Sequence, residues 1–151
     1  MITVCLVGVD VVKEKTLLGS QSGIVLHQIS NAALDEMLGD IARHDPDILV
    51  ISDVGGQIDA DTLCLHTYMQ NPAIKTLIVT SQDADYQRLE RTGFSCKGFM
   101  LHQQCHAIVR AVRVMYDGEA WLSRTLVTAV IDHLASIALA GYRKAHLVRN
   151  Q

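Results

Sequence analysis

Short aliphatic runs alternate with longer amphipathic stretches along the chain. The plainest run is Ile48-Leu49-Val50-Ile51-Ser52, which follows His44-Asp45-Pro46-Asp47 and gives way to Asp53-Val54-Gly55-Gly56. With no polar alternation, it reads as a central strand of a parallel sheet, buried on both faces. Ser52-Asp53 then lies at the carboxyl edge of the sheet, where ligands and chemistry collect in open α/β folds. Residues 2–7, 23–29, 75–80 and 97–101 are predicted as the other strands.

Helical spacing fills the intervals. A short helix is predicted over residues 11–18, and a second is capped by Ser30 or Asn31 and carries Leu34, Met37, Leu38 and Ile41 on one face. A third opens at Asp59 or Asp61 and stops at Asn71-Pro72. Residues 83–91 read as a polar, solvated helix and residues 104–116 as an amphipathic one. Five strand–helix units with short connectors predict an α/β protein, a doubly wound five-stranded parallel sheet flanked by helices.

A sixth helix does not belong to that alternation. It is predicted over residues 123–146, with Ser123 as N-cap and apolar positions at Leu126, Val127, Val130, Ile131, Leu134, Ile137 and Ala138. Its small residues, Ala129, Ala135, Ala140 and Gly141 among them, allow another helix to approach closely. Periodicity leaves two readings open: a helix packed on its own domain or leading to another, and a dimerisation helix whose interface is Val127, Val130, Ile131, Leu134 and Ile137. The expected organisation is a domain over residues 1–120, this helix over 121–146, and a tail over 147–151.

Composition narrows the class. A chain of 151 residues, 49% of them hydrophobic, is one domain with an ordinary core and not a disordered segment. A net charge of −3 argues against a broad electrostatic footprint for nucleic acid. Cys5, Cys64, Cys96 and Cys105 show no paired spacing, as expected in a reducing cytosol. The N-terminus lacks a basic region followed by a long apolar core, and Asp132 and His133 interrupt the apolar C-terminal stretch. A soluble cytoplasmic protein with no membrane association is expected.

At this point specific residues resemble a bacterial response-regulator receiver domain, of the branch joined to LuxR-type DNA-binding domains. Pro46 to Ile51 looks like that family's third strand, and Thr80 sits where its switch Thr or Ser closes the fourth. Gly98-Phe99-Met100-Leu101, and the later Tyr116-Asp117-Gly118-Glu119-Ala120-Trp121-Leu122-Ser123, look like the fifth strand and the segment trailing the fifth helix. The resemblance implies a CheY-like fold and a role in two-component signal transduction and transcription regulation.

The departures from the family are informative. The family phosphorylates an Asp six residues after the Pro of the third strand; here that residue is Ser52, and Asp53 is one position late. A one-residue slip in a strand turns a side chain to the other face. The acidic pair that holds Mg²⁺ in the family is replaced by Gly8-Val9, with only Asp10 following, and the family's Lys after the fifth strand is His102. Asp10, Ser52, Asp53, Thr80 and His102 therefore outline a degenerate phosphoacceptor pocket, expected to take neither a phosphoryl group nor Mg²⁺. Asp53 is either a phosphoacceptor rescued by a bulge at Ser52 or a turn residue before Gly55-Gly56, and the missing acidic pair favours the turn. No cofactor and no catalytic residue are expected, since no nucleophile elbow or phosphate-cradling loop is present. His102, Cys105 and His106 have a metal-like look, but Cys105 falls on the apolar stripe with Ile108 and Val112, and core packing is the better account.

Trp121-Leu122-Ser123-Arg124 is the remaining motif. A flat indole, a planar guanidinium fork and a hydroxyl at a helix start suit a guanine nucleotide. The four residues resemble the W-[F/L/M]-[S/T]-R motif of the VpsT/CsgD-like biofilm regulators. In that family, degenerate receivers bind cyclic di-GMP at the base of a sixth helix and dimerise through it. The resemblance implies cyclic di-GMP as ligand and a homodimer. The alternative is a pseudo-receiver that docks a protein partner without any small ligand, since ordinary receivers of this branch also carry Trp-Leu-Ser in their trailing segment. Residues 141–146 read as the start of a basic linker, and DNA is expected as a partner only through a DNA-binding domain outside this sequence.

Overall fold

The computed structural model describes residues 1–149; Asn150 and Gln151, from the predicted tail, lie outside the described residues. Its five strands, β1 (Ile2–Val7), β2 (Ile24–Ile29), β3 (Ile48–Ser52), β4 (Lys75–Thr80) and β5 (Cys96–Leu101), form one parallel sheet in the order β2-β1-β3-β4-β5. The helices are α1 (Val12–Gly19), α2 (Leu34–His44), α3 (Ala60–Gln70), α4 (Tyr86–Arg91), α5 (Ile108–Tyr116) and α6 (Arg124–Arg149), with a 3₁₀ helix (His102–Ala107) leading into α5.

The unbroken aliphatic run of β3 is explained by the two apolar layers it feeds. Leu49 and Ile51 pack with Met37, Ile41 and Leu63 beneath α2 and α3, while Ile48 and Val50 pack with Leu18, Ile108 and Met115 beneath α1 and α5. Fully burying one such side chain stabilises the fold by about 1.5–3 kcal/mol. The Pro46-Asp47 start has its own role: the Thr3 amide donates to Asp47 Oδ2 (2.9 Å), and the Asp47 amide donates to the Thr3 carbonyl (2.8 Å). These bonds fix β3 beside β1, and so fix which β3 residue reaches the carboxyl edge.

Asp59 caps α3, accepting from the Thr62 amide (3.1 Å) and hydroxyl (2.7 Å). Three sequence expectations are displaced. α2 starts at Leu34 with Ala33 at the N-cap and no side-chain cap, so neither Ser30 nor Asn31 serves; Asp35 and Glu36 in its first turn supply the negative charge that favours a helix start. The predicted 104–116 helix begins earlier and is tighter, as 3₁₀ helix to Ala107, a common way for an α-helix to start. The predicted 83–91 helix shortens to α4, with Asp85 as its N-cap, and it is not wholly solvated: Leu89 is buried and Arg88 nearly so.

α6 begins where expected, the Leu126 amide donating to Ser123 Oγ (3.1 Å). Leu126 is buried in the α2–α3 layer, and Leu122 and Val130 pack against it half-buried. The His133 ring still packs against Tyr86 of α4 (centroids 4.4 Å apart), and beyond it the helix leaves the body. Ile131, Leu134 and Ile137 are 59%, 59% and 57% exposed. Arg124–Leu147 is long and apolar enough, by length and composition, to cross a membrane, so the interruption at Asp132 and His133 does not bring it below that size. Those two residues lower the mean hydropathy, but the Leu, Ile, Val and Ala around them outweigh the loss. Asp132 at a bilayer centre would cost about 2.5–3.5 kcal/mol, which disfavours that placement.

Candidate functional site

The carboxyl edge of the sheet separates Ser52 from Asp53. The β3–β4 register runs unbroken from Ile48 opposite Lys75 to Ser52 opposite Val79, and the Asp53 amide donates to the Val79 carbonyl (3.0 Å). There is no bulge to bring Asp53 round to the position of Ser52. Strand alternation therefore points the two side chains apart. Ser52 is buried, its Oγ has no hydrogen-bond partner, and its Cβ faces Gly8. Asp53 turns towards α4.

There it meets Arg88, which organises this edge. One guanidinium pairs with Asp53 Oδ2 through Nη2, donates from Nε to Asp61 Oδ1 (3.1 Å) and from Nη1 to Thr80 Oγ1 (2.7 Å). Its Cζ also lies 5.5 Å from the centre of the Phe99 ring, within cation–π range. Arg91 adds a second contact to Asp61, from Nε to Oδ2 (3.3 Å). Burial alone would disfavour the Arg88 charge, but the hydrogen bond and charge of Asp53, with those of Asp61, outweigh it and hold the group above its usual pKa. Arg88 thus forms one wall of an open cleft of about 470 Å³, lined also by Asp53, Gly55, Thr80 and Asp85. The sequence reading missed it. Leu89, the one buried anchor of α4, was the available sign that this helix faces inward.

The remaining residues of the expected pocket do not converge on this cleft. Gly8, at the first acidic position, is tightly enclosed: a Cβ there would lie 2.5 Å from Val11 Cγ1 and 3.0 Å from Ser52 Cβ. No side chain fits without local movement. Asp10 is exposed. His102 faces α1, its Nδ1 lying 3.2 Å from Glu14 Oε1. The structure brings together Asp53 and Thr80, through Arg88, in one cleft whose lining does not include Asp10, Ser52 or His102.

The 121–124 motif lies at the neighbouring corner. The Trp121 amide donates to the Lys97 carbonyl (2.9 Å), and the Phe99 amide donates to the Trp121 carbonyl (2.9 Å), adding one parallel bridge to the edge of β5. As in any strand, the next side chain points the other way. Trp121 packs half-buried on the α1–α5 layer, Leu122 on the α2–α3 layer. Trp121 and Leu122 are thus tied to the sheet body, while Ser123 caps the projecting helix. Ser123 and Arg124 are exposed. A cleft of about 240 Å³ opens beside them, lined by Thr80, Gln82, Leu101, Gln104, Trp121 and Ser123. Arg124 stands outside its lining. A second, apolar groove of about 220 Å³ runs between α6 and the α4–β5 edge, past Leu89, Phe94, Leu122, Val127 and Ile131.

The four cysteines are buried and unpaired. Burial pushes the Cys5 thiol up to about 12 and the Cys96 thiol well above its usual value, so neither is a ready nucleophile.

Strand order, the two helical layers and the edge after β3 define a CheY-like receiver fold with an additional C-terminal helix. Solved structures share it at low identity. A LuxR-family two-component response regulator from Aurantimonas sp. SI85-9A1 superposes with a TM-score of 0.71 at 16% identity, over 89% of this chain and 99% of that one. The isolated receiver domain of RcsB from Salmonella enterica serovar Typhimurium gives 0.66 at 12%, over 85% and 97%. A CheY-like receiver domain protein from Methanospirillum hungatei JF-1 gives 0.64 at 13%, over 78% and 94%. No protein-family model matches the sequence, and no curated protein matches it either.

Proposed function

We propose that this chain is a phosphorylation-independent receiver module of a cytoplasmic transcriptional regulator, which pairs with a second copy through α6 and binds cyclic di-GMP at that helix's base. The observation that carries the reading is the apolar face of α6, uncovered from Ile131 to Ile137 and rooted at the 121–124 motif. Phosphorylation independence is supported by Arg88, which already engages Asp53 and Thr80, and by the closed space around Gly8. A role in transcription is supported by analogy of fold. Several similar structures are LuxR-family regulators, and one is RcsB bound to DNA, of which this chain spans 66%. DNA contact is accordingly assigned to a separate domain.

A second reading is favoured by Trp121, whose backbone is pinned to β5 and whose ring is half-buried in the chain's own core. On that reading the module pairs without any small ligand. Sedimentation with and without cyclic di-GMP separates the two. Ligand-dependent dimerisation lost in both Arg124→Ala and Ile137→Glu supports the first. Dimerisation that ignores the ligand and Arg124→Ala, yet fails in Ile137→Glu, supports the second. A wild-type monomer under both conditions refutes both.

A further inference from the structure

Glu14 is the one acidic side chain among the described residues that is fully buried, and both of its carboxylate oxygens lack a hydrogen-bond partner. A carboxylate removed from water on those terms needs a counter-charge. What faces it is the first turn of the 3₁₀ helix. With three residues per turn, positions i and i+3 of such a helix eclipse, so His102 and Cys105 present their side chains to the same side. A ligand atom from each of Glu14, His102 and Cys105 lies within 4.8 Å of the other two. His102 Nδ1 is 3.2 Å from Glu14 Oε1, yet the angles make no hydrogen bond and both atoms remain unpartnered. Lone pairs converging on a shared point leave this arrangement.

We propose that Glu14, His102 and Cys105 bind a borderline divalent transition-metal ion of the zinc type. Carboxylate, imidazole and thiolate together match zinc chemistry, whereas the hard Mg²⁺ ion rejects the sulfur. Ligand atoms in a tetrahedral zinc site with bonds of about 2.0–2.3 Å stand roughly 3.3–3.8 Å apart. The Glu14–His102 separation is already close to that range, and Cys105 reaches it by closing about 1 Å. Glu14 and Cys105 are sealed at 0% exposure, while the His102 side chain is 38% exposed and gives the ion its route in. Binding displaces the Cys105 thiol proton to solvent, and water fills the fourth position. The site lies on the α1–α5 side of the sheet, and none of its three residues lines the Arg88 cleft.

The test uses untagged, metal-stripped protein titrated with Zn²⁺, and with Co²⁺ as the spectroscopic probe. One equivalent of zinc per chain is expected, with a rise in Tm, and cobalt should show a thiolate charge-transfer band with the intense visible bands of a tetrahedral ion. Cys105→Ser should lose the charge-transfer band and weaken zinc binding by about tenfold or more. His106→Gln, which alters the exposed neighbouring histidine, should change nothing. Glu14→Gln gives an arm that does not depend on Cys105 variants folding. Stripped of metal it should be at least as stable as wild type, because it removes a buried charge; with zinc present the order should reverse. No stoichiometric uptake, uptake unaltered in Cys105→Ser, or uptake abolished by His106→Gln would overturn the proposal.

Discussion

Arg88→Met is the substitution that most directly tests how the carboxyl edge is held. Methionine keeps the length and the contact with Phe99 but removes the charge and every donor. Two carboxylates, Asp53 and Asp61, only 19% and 17% exposed, would then face a shared space with only the largely exposed Arg91 left on Asp61 and no cation on Asp53. Breaking a fully buried pair costs about 3–5 kcal/mol, and an exposed one about 0–1. With both acids about one-fifth exposed, and Thr80 Oγ1 also losing its donor, the expected loss is about 2–3 kcal/mol at neutral pH. For a domain of this size that lowers Tm by roughly 6–10 °C.

Urea unfolding of both proteins at neutral pH reads this loss directly, and adding Asp53→Asn to Arg88→Met should recover part of it. A loss under about 0.5 kcal/mol, or no recovery in the double variant, would refute the view that Arg88 is the keystone of this edge.

Three further outcomes follow from geometry already described. Acetyl phosphate with Mg²⁺ should leave the intact mass unchanged, and a stoichiometric shift mapping to Asp53 would show that Arg88 yields its place. Gly98→Ala would bring a Cβ to 2.8 Å from both Leu77 Cδ1 and Met115 Sδ and to 3.2 Å from Trp121 Cβ; a loss of about 1–3 kcal/mol is expected, with a shift in the emission of the only tryptophan. Asp59→Ala should cost about 1 kcal/mol through the lost cap on α3. The Thr62 hydrogen bonds hold the Asp59 carboxyl below its usual pKa, so the cap's contribution is complete above the ordinary carboxylate range and fades as pH falls through the lowered value; a substitution effect equal at pH 7 and at about pH 2 would contradict it.

What the sequence made legible was whatever local chemistry determines. The β3 run, the Pro46-Asp47 start, the Asp59 and Ser123 caps and the end of β4 at Thr80 all come from a few adjacent residues. What it hid depends on partners far along the chain. Arg88 looked like one more charge on a polar helix because Asp53 and Asp61 lie 35 and 27 residues away. Glu14 left a trace that went unread: it sits between Val11 and Leu18 on the inner stripe of α1, where an apolar residue belongs. The start of α2 was misplaced because charge in its first turn replaced a capping side chain. The end of α6 that docks and the end that projects share one periodicity, and only the fold shows that contact with the body runs as far as His133, whose ring packs against Tyr86.

The single bridge between Trp121 and β5 has a mechanical consequence. α6 spans 26 residues, a rod about 39 Å long, held at its root by the hydrogen bonds that tie Trp121 to Lys97 and Phe99 and by the docking of Leu126 and Val130. Tilting the projecting part by about 5° swings its far end by roughly 2 Å, more than one residue of helical rise. Phe99 lies under Arg88 on the adjoining strand. A small adjustment at the sheet edge is therefore geared up into a displacement of a few ångströms at the far end of α6, and a grip on that end is geared back down onto the same edge.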